Sequence, residues 1–445
     1  MDKWQTKGWI MSLIMLAESR RKYALLPINN WWRFSAVKRT GSTGRVLIYV
    51  SFLLLNVLGC GTDEPASSTG SVAQLASSTS DAYTFLYNMM DTYATGSTIR
   101  LPPSYVSTST FNAGDVGYLY DSDVMIIALL KRGNTTDLSR AEVLGNAIVS
   151  AQAHDPIGDG RLRNSYHTDP FIDTSGSVDI NDTGSYTGIQ AWTGMALVQL
   201  YHSTGVRSYL TAAKSLAAYI QTTTNSTTGS GGYTAGINSS GTTLTYKSTE
   251  HQIDLYAFFT MLASVSGDSI YTTDAAHAYT ELMALWNSSG YYYIGTLNDG
   301  ATINTVDDPI PEDIQSWSYL ATKLTTHEQS IDWVLTNLSV TSGNFSGVAF
   351  DTGDHGTGVW FEGTAHMATA LQIRSLSGDA TKATTLVDDL ENAQSYGPNT
   401  DGLGIIAASI NGLEADGVDQ YYSALHVGAT AWYCLAADSA NPFTF

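Results

Sequence analysis

The sequence predicts an all-α domain, an (α/α)6 barrel or toroid of six helical hairpins. Three observations predict it. One hairpin plan recurs about every 55–65 residues. The first helix of each hairpin is apolar nearly all round, as in WTGMALVQLY and DLYAFFTMLA. The second is amphipathic, as in RSYLTAAKSLAAYIQ. A helix without a polar face is buried on both sides, and one with a polar stripe faces water on that stripe. First helices therefore form an inner ring and second helices an outer one.

The pairs follow in order. Residues 118–131 and 138–152 flank the turn RGNTTD, and 188–202 and 209–222 flank STGVRS. Residues 249–265 and 271–286 flank SGDS, 312–323 precede 327–338, and 359–376 and 382–393 flank SGDA. A last helix at 424–437 has no follower, and an amphipathic one at 77–93 has no leader, so these two are expected to make the sixth hairpin. Turns within hairpins are short, whereas loops between hairpins run to about 20–35 residues. Long loops in a compact domain usually serve function. All of them fall at the end where inner helices begin, which marks that end as the working face. Their common apolar and glycine-rich cores, GRLRNSY, GGYTAG, YYYIGT, NFSGVAF and DGLGII, predict short strands lining a groove.

Ahead of the barrel lies a different kind of sequence. Residues 46–58, VLIYVSFLLLNVL, are an apolar run behind Lys38, Arg39 and Arg45. A spanning helix needs about 20 such residues, and a signal-peptide core needs fewer. The run ends in Val57-Leu58-Gly59-Cys60, which resembles the bacterial lipobox, where the cysteine sulfur takes a diacylglycerol. An uncut membrane anchor is the alternative. Residues 1–44 are long for a leader, which predicts a start of translation downstream of Met1. Gly61 in place of Asp resembles the pattern of lipoproteins delivered to an outer membrane. The chain thus divides into a targeting segment (1–59), a lipidated Cys60 with a Ser/Thr-rich tether (60–76), and one domain (77–445). The expected location is the bacterial cell envelope, lipid-anchored outside the cytoplasm.

Composition limits the chemistry. The chain has 445 residues, 43% hydrophobic and 14% charged, enough for a large core. Beyond residue 59 there are 12 basic and 39 acidic residues, a net −27. Such a surface repels nucleic acid and strongly anionic polymers and leaves neutral substrates open. Two cysteines, Cys60 and Cys434, cannot build a thiolate zinc site. No HExxH box, phosphate-binding loop or Ser-His-Asp order occurs, so neither metal nor cofactor is expected.

The stretches YLYDSDVMIIALL, DGRLRNSY, TGIQAWTGMALVQLYHSTGVRSYLTAA, YKSTEHQIDLYAFF, VWFEGTAHMATAL and HVGATAWYCLAADSANPF resemble bacterial secreted proteins of the six-hairpin glycosidase-like superfamily. The resemblance spans roughly residues 80–445. It implies a carbohydrate-active protein, since that superfamily includes glycoside hydrolases, epimerases and polysaccharide lyases. Fold alone does not choose among them.

Glycoside hydrolysis needs two carboxyl groups across the scissile bond. Glu250, in Ser248-Thr249-Glu250-His251-Gln252, opens the third inner helix, with Thr249 and Gln252 patterned as a capping box and Asp254 one turn on. Its plainer role is to complement the positive helix end. Glu362, in Trp360-Phe361-Glu362-Gly363-Thr364, opens the fifth, where apolar neighbours are expected to raise its pKa and suit it to general-acid work. Asp121 and Asp123 open the first inner helix and are the alternative base, Asp121 being equally an N-cap. Glu312 and Asp313 open the fourth. Trp192, Trp317, Trp360, Tyr421, Tyr422 and Trp432 stand near inner-helix starts as stacking platforms for sugar, although most buried aromatics are core. His251, Asp254, Arg163 and Tyr166 complete the expected binding set, with a salt bridge as the plainer use of Arg161 and Arg163. The expected function is two-carboxylate hydrolysis of a neutral oligo- or polysaccharide. A non-catalytic glycan-binding or export lipoprotein is one alternative. A lyase or epimerase using His251, His366 or Tyr166 is the other.

Overall fold

The computed structural model describes residues 69–305, 309–353, 358–415 and 419–445; Cys60 and the lipobox lie outside them. The helices among these are α1 (Thr69–Met90), α2 (Leu119–Arg132), α3 (Thr135–Ala153), α4 (Thr187–Thr204), α5 (Arg207–Thr223), α6 (Thr249–Ser266), α7 (Ser269–Ala284), α8 (Asp313–Thr322), α9 (Gln329–Asn337), α10 (Phe361–Arg374), α11 (Asp379–Tyr396) and α12 (Val427–Ala437). Each even-numbered helix packs on the next, and α12 packs back on α2, closing an inner ring. The odd-numbered helices lie outside it. α1 stands beside α2 and the end of α12: the Tyr83 hydroxyl reaches the Ala128 carbonyl of α2 at 3.0 Å and the Asp438 carboxylate, just past α12, at 3.2 Å.

The two rings differ as their sequences require. In α4 every residue from Gln190 to Leu200 is buried. In α5 the buried residues Tyr209, Ala212, Ala213, Leu216, Ala217 and Ile220 recur at three- and four-residue steps, the stripe of a helix packed on one side. Gly205 and Gly267 end α4 and α6 in the left-handed region, at φ 71° and 72°, where their amides bond back to Tyr201 and Ala263. A side chain is strained there, hence glycine.

Short antiparallel strands occupy the long loops. β1 (Val116–Tyr118), β2 (Ser165–His167) and β3 (Ile180–Asp182) form one sheet, and β4 (Ser185–Tyr186), β5 (Gly236–Ile237) and β6 (Thr243–Leu244) a second. β7 (Trp286–Asn287) pairs with β8 (Tyr291–Tyr292), β9 (Ser339–Ser342) with β10 (Phe345–Val348), and β11 (Leu413–Ala415) with β12 (Asp419–Tyr421). Four of the five expected strand segments carry or adjoin a strand. DGLGII instead makes a single bridge, Ile406 to Leu425, and the strand pair forms farther along.

A repeated clamp fixes these loops to the barrel. Gln190, Gln252 and Gln315 stand in the first turn of α4, α6 and α8. Each side-chain amide bonds both the N–H and the carbonyl of one loop residue: Leu162 (2.8 and 3.0 Å), Tyr233 (3.0 and 2.8 Å) and Tyr292 (2.9 and 3.1 Å). The capping box expected of Thr249 and Gln252 is therefore absent. Ser248 is the N-cap and makes no side-chain cap bond, Thr249 donates to the Tyr293 carbonyl, and Gln252 is spent on Tyr233. Losing a clamp leaves buried backbone groups unpaired, at about 1–3 kcal/mol per group. Gln252→Ala is expected to lower unfolding free energy by at least that amount in urea denaturation. A change within error of zero refutes the clamp.

The opposite end of the barrel is closed by the chain's last residues. Asn441 donates to the Leu320 carbonyl at 2.8 Å, Gln199 to Pro442 at 2.9 Å, and Lys131 to Thr444 at 2.6 Å. These bonds seat Phe443 against Trp192 and Trp317, ring centroids 5.1 and 5.7 Å away. No described helix is long and apolar enough to cross a membrane.

Candidate active site

The inner-helix starts surround a cavity of about 120 Å³. Asp121, Trp192, Glu250, Asp313 and Glu362, which span more than half the sequence, all line it, as do His251, Trp317 and Trp360. Asp123, Asp254, Arg163 and Tyr166 do not. Asp123 is buried behind the wall, its carboxylate accepting from Thr193 at 2.6 Å. Arg163 is held by Asp155 and the Thr183 carbonyl, and the Tyr166 hydroxyl accepts from the Arg163 amide. The GRLRNSY segment instead presents Asn164 to the cavity. Tyr421 lines it too, whereas Tyr422 stacks on Phe111 outside and Trp432 is packed in the core.

Glu362 is the centre of a charged array drawn from four inner helices and their starts. Its Oε1 accepts from the Tyr120 hydroxyl at 2.6 Å, and that oxygen in turn accepts from Trp432 Nε1 at 2.8 Å. His366, one turn along α10, lies 3.7 Å from Glu362 Oε1 and bonds Glu312 at 3.0 Å through Nδ1. On the other side, His426 Nδ1 stands 3.8 Å from Glu362 Oε2, and its Nε2 is 3.3 Å from Asp121. Carboxylate and imidazole thus alternate from Glu312 through His366, Glu362 and His426 to Asp121. The Ala429 amide donates to His426 Nδ1 at 3.2 Å, so Nε2 carries the proton that faces Asp121.

Burial disfavours the charged form of every group here, and neighbours decide the outcome. For Glu362 burial works upward, but His366, His426 and the Tyr120 hydroxyl outweigh it and hold the carboxyl below its ordinary value. The expectation of a raised pKa is corrected: the flanking aromatics are there, yet two imidazoles and a phenol touch the carboxylate. His366 is opposed by burial and raised by Glu312 and Glu362 to about 9, so it is an imidazolium at neutral pH. Asp313 is pushed up by burial and by Glu312 to about 7. His251, pushed down by burial to about 3, is neutral.

Spacing separates the carboxyls by role. An atom at the Cβ position of Gly428 would stand 2.5 Å from Asp121 Oδ1 and 3.1 Å from Glu362 Oε2, so these oxygens are at most about 5.6 Å apart. Carboxyls that activate a water between them stand about 6.5–9.5 Å apart. The Asp121–Glu362 spacing is too short for the two to activate a water between them. Asp313 and Glu250 come from α8 and α6.

Beneath them, Asp254 is fully buried, and burial together with Asp313 pushes its carboxyl well above the ordinary range. The native state thus keeps a proton that the unfolded chain releases near pH 4. Such a group stabilises the fold at low pH, and the contribution is lost as pH rises toward the folded pKa. Asp254→Asn is expected to lessen the fall in melting temperature between about pH 5 and pH 8. An unchanged slope refutes a protonated Asp254.

Sequence reasoning passed over Tyr120, Asn164 and His426. His426 was within reach, because it opens the last inner helix as Glu362 opens the fifth. Among the described residues no group of three or more His, Cys, Asp or Glu side chains is arranged to hold a metal ion.

No known protein-family profile and no curated protein sequence matches the chain. Solved structures do. A cellobiose 2-epimerase from Bacillus thermoamylovorans superposes with a TM-score of 0.61 at 13% identity, covering 82% of this chain and 98% of that one. A glycosidase variant in complex with glucose gives 0.59 at 11%, covering 84% and 99%. A D-mannose isomerase gives 0.59 at 10%, also covering 84% and 99%. Identity this low speaks to fold alone, and the fold shared with these structures is an (α/α)6 barrel.

Proposed function

We propose that the protein is a carbohydrate-active enzyme that hydrolyses a glycosidic bond, with Asp313 as proton donor and Glu362 as the ionised partner. The observation that carries this reading is the opposite displacement of two carboxyls lining one cavity. Glu362 is held below its ordinary value, and Asp313 is raised to about 7. Carboxyls pushed apart in this way divide acid and base work. Asp313 passes its proton to the leaving oxygen as the bond to C1 breaks. The Glu362 carboxylate supports the positive charge growing on the ring and takes the proton of water or bonds C1. Tyr120 fixes its orientation. Glu250, half-buried, lines the same cavity.

Activity on this reading needs Asp313 protonated and Glu362 ionised. kcat/KM is expected to fall as pH rises through about 7 and again in acid, below the ordinary range of a glutamate. Screening the purified domain on a glycan panel, with reducing-end detection across pH, tests it. Cleavage that keeps rising above pH 8 overturns Asp313 as donor. A second reading, sugar epimerisation, is favoured by His251, a neutral imidazole lining the cavity with Nδ1 unpartnered among the described residues. Conversion of a free sugar without cleavage would select it. We further propose that Cys60 is lipidated and holds the enzyme to the outer side of the cell envelope. Mass spectrometry of the mature N-terminus with an unmodified Cys60 overturns that.

A further inference from the structure

We infer that the cavity is built for one terminal sugar ring carrying a basic nitrogen, an amino sugar with a free amine. This rests on the carbohydrate reading above and deepens it. The cavity is blind. Trp192 and Trp317 line it, and both rings pack on Phe443, in the segment whose bonds to Gln199 and Leu320 close the opposite end of the barrel. Its walls rise from four loops, with Tyr118, Asn164, Phe350 and Tyr421 among them. A site closed below and walled around takes the end of a glycan.

Charge then selects which end. Asp121, Glu250, Asp313 and Glu362 line the cavity from four different helices, and among the described residues no lysine or arginine lines it. The imidazolium of His366 lies behind Glu362, not in the cavity, and offsets one charge. His251, the imidazole that does line the cavity, is 3% exposed and neutral, and its Nδ1 has no partner among the described residues. The Nε1 atoms of Trp317 and Trp360, also buried and unpartnered among those residues, are neutral donors for hydroxyls. A uronate or a phosphorylated sugar would bring an anion among carboxylates with no cation to meet it. An ammonium group meets the carboxylates of Asp121, Glu250 and Glu362, Asp313 being the protonated donor, in a site shielded from salt.

The test is binding, read by quenching of the cavity tryptophans, with D-glucosamine, D-glucose and D-glucuronate at about pH 6. An amine with a pKa near that of an α-amino group, about 8, is charged there. Glucosamine is expected to bind at least about tenfold more tightly than glucose, and glucuronate not at all. Glu250→Gln, at a half-buried position of the cavity lining, is expected to shrink the ratio of glucosamine to glucose affinity. Equal binding of all three sugars, tighter binding of glucuronate, or no binding of glucosamine overturns the inference. These results are independent of hydrolysis: cleavage of a neutral glycan without the charge ranking leaves the hydrolase reading standing and removes this one.

Discussion

Glu362→Gln is expected to lower kcat by about 100- to 10,000-fold, the range that acid or base catalysis contributes, while the barrel remains folded. The amide keeps the side chain's volume and can still accept from the Tyr120 hydroxyl. It cannot carry the negative charge that the His366 imidazolium now balances. The loss should therefore appear in kcat with KM little changed, since a neutral amide still fills the same wall. The charge array offers a second readout. With Glu362 neutral, His366 keeps only Glu312 as a close anion, and its pKa, about 9 in the native protein, is expected to fall. Imidazole NMR titration follows this without any substrate. A variant with near-normal turnover on a glycan that the wild type cleaves sinks the assignment, and Glu250 and Asp121 become the next candidates. A variant that loses turnover while His366 titrates unchanged keeps Glu362 in catalysis but refutes the charge balance.

The rings of the barrel were legible because they follow from periodicity. A helix with no polar face has nowhere to go but inside, and the alternation of all-apolar with striped helices in one chain closes on itself. The location of the site was legible for a related reason: long loops at one end mark the end that carries function. Sequence spacing does not encode depth. Glu250 and Asp254 share a helix face, yet one lines the cavity and the other is sealed beneath it. Nor does spacing tell which of adjacent residues points inward, so Arg163 and Tyr166 were expected where Asn164 stands. The protonation of Glu362 was misjudged because its aromatic neighbours in sequence are visible at a glance. Of its polar neighbours, Tyr120 and His426 lie 242 and 64 positions away, and His366, one turn on, owes its charge in part to Glu312, 54 positions back. The glutamine clamps were hidden in the same manner, because the Thr-x-x-Gln pattern of α4 and α6 imitates a capping box whose bonds go instead to a loop far away in sequence.

Gly428→Ala is expected to cost about 100-fold in activity with little loss of stability, a combination that few substitutions give. Gly428 is the second residue of α12 and has ordinary helical backbone, so alanine fits the chain and gains up to about 1 kcal/mol in helix propensity. The new methyl group would stand 2.5 Å from Asp121 Oδ1, 2.9 Å from the His426 ring and 3.1 Å from Glu362 Oε2. The first two are closer than atoms come, so the carboxylate or the imidazole must move. His426 is pinned by the Ala429 amide and stacked on Tyr105 at 4.1 Å between centroids. Asp121, on another helix, is the group that yields. Its displacement breaks the contact with His426 Nε2 and opens the Asp121–Glu362 pair. Misplacement by about 1 Å is enough for a 100-fold loss when catalysis depends on fixed geometry. The loss should fall on kcat, and the melting temperature should stay within a few degrees of wild type. Full activity would mean that Asp121 need not stand beside Glu362. A collapse of stability with activity would mean that the packing of α12 on α2, and not the spacing of two carboxylates, is what this glycine protects.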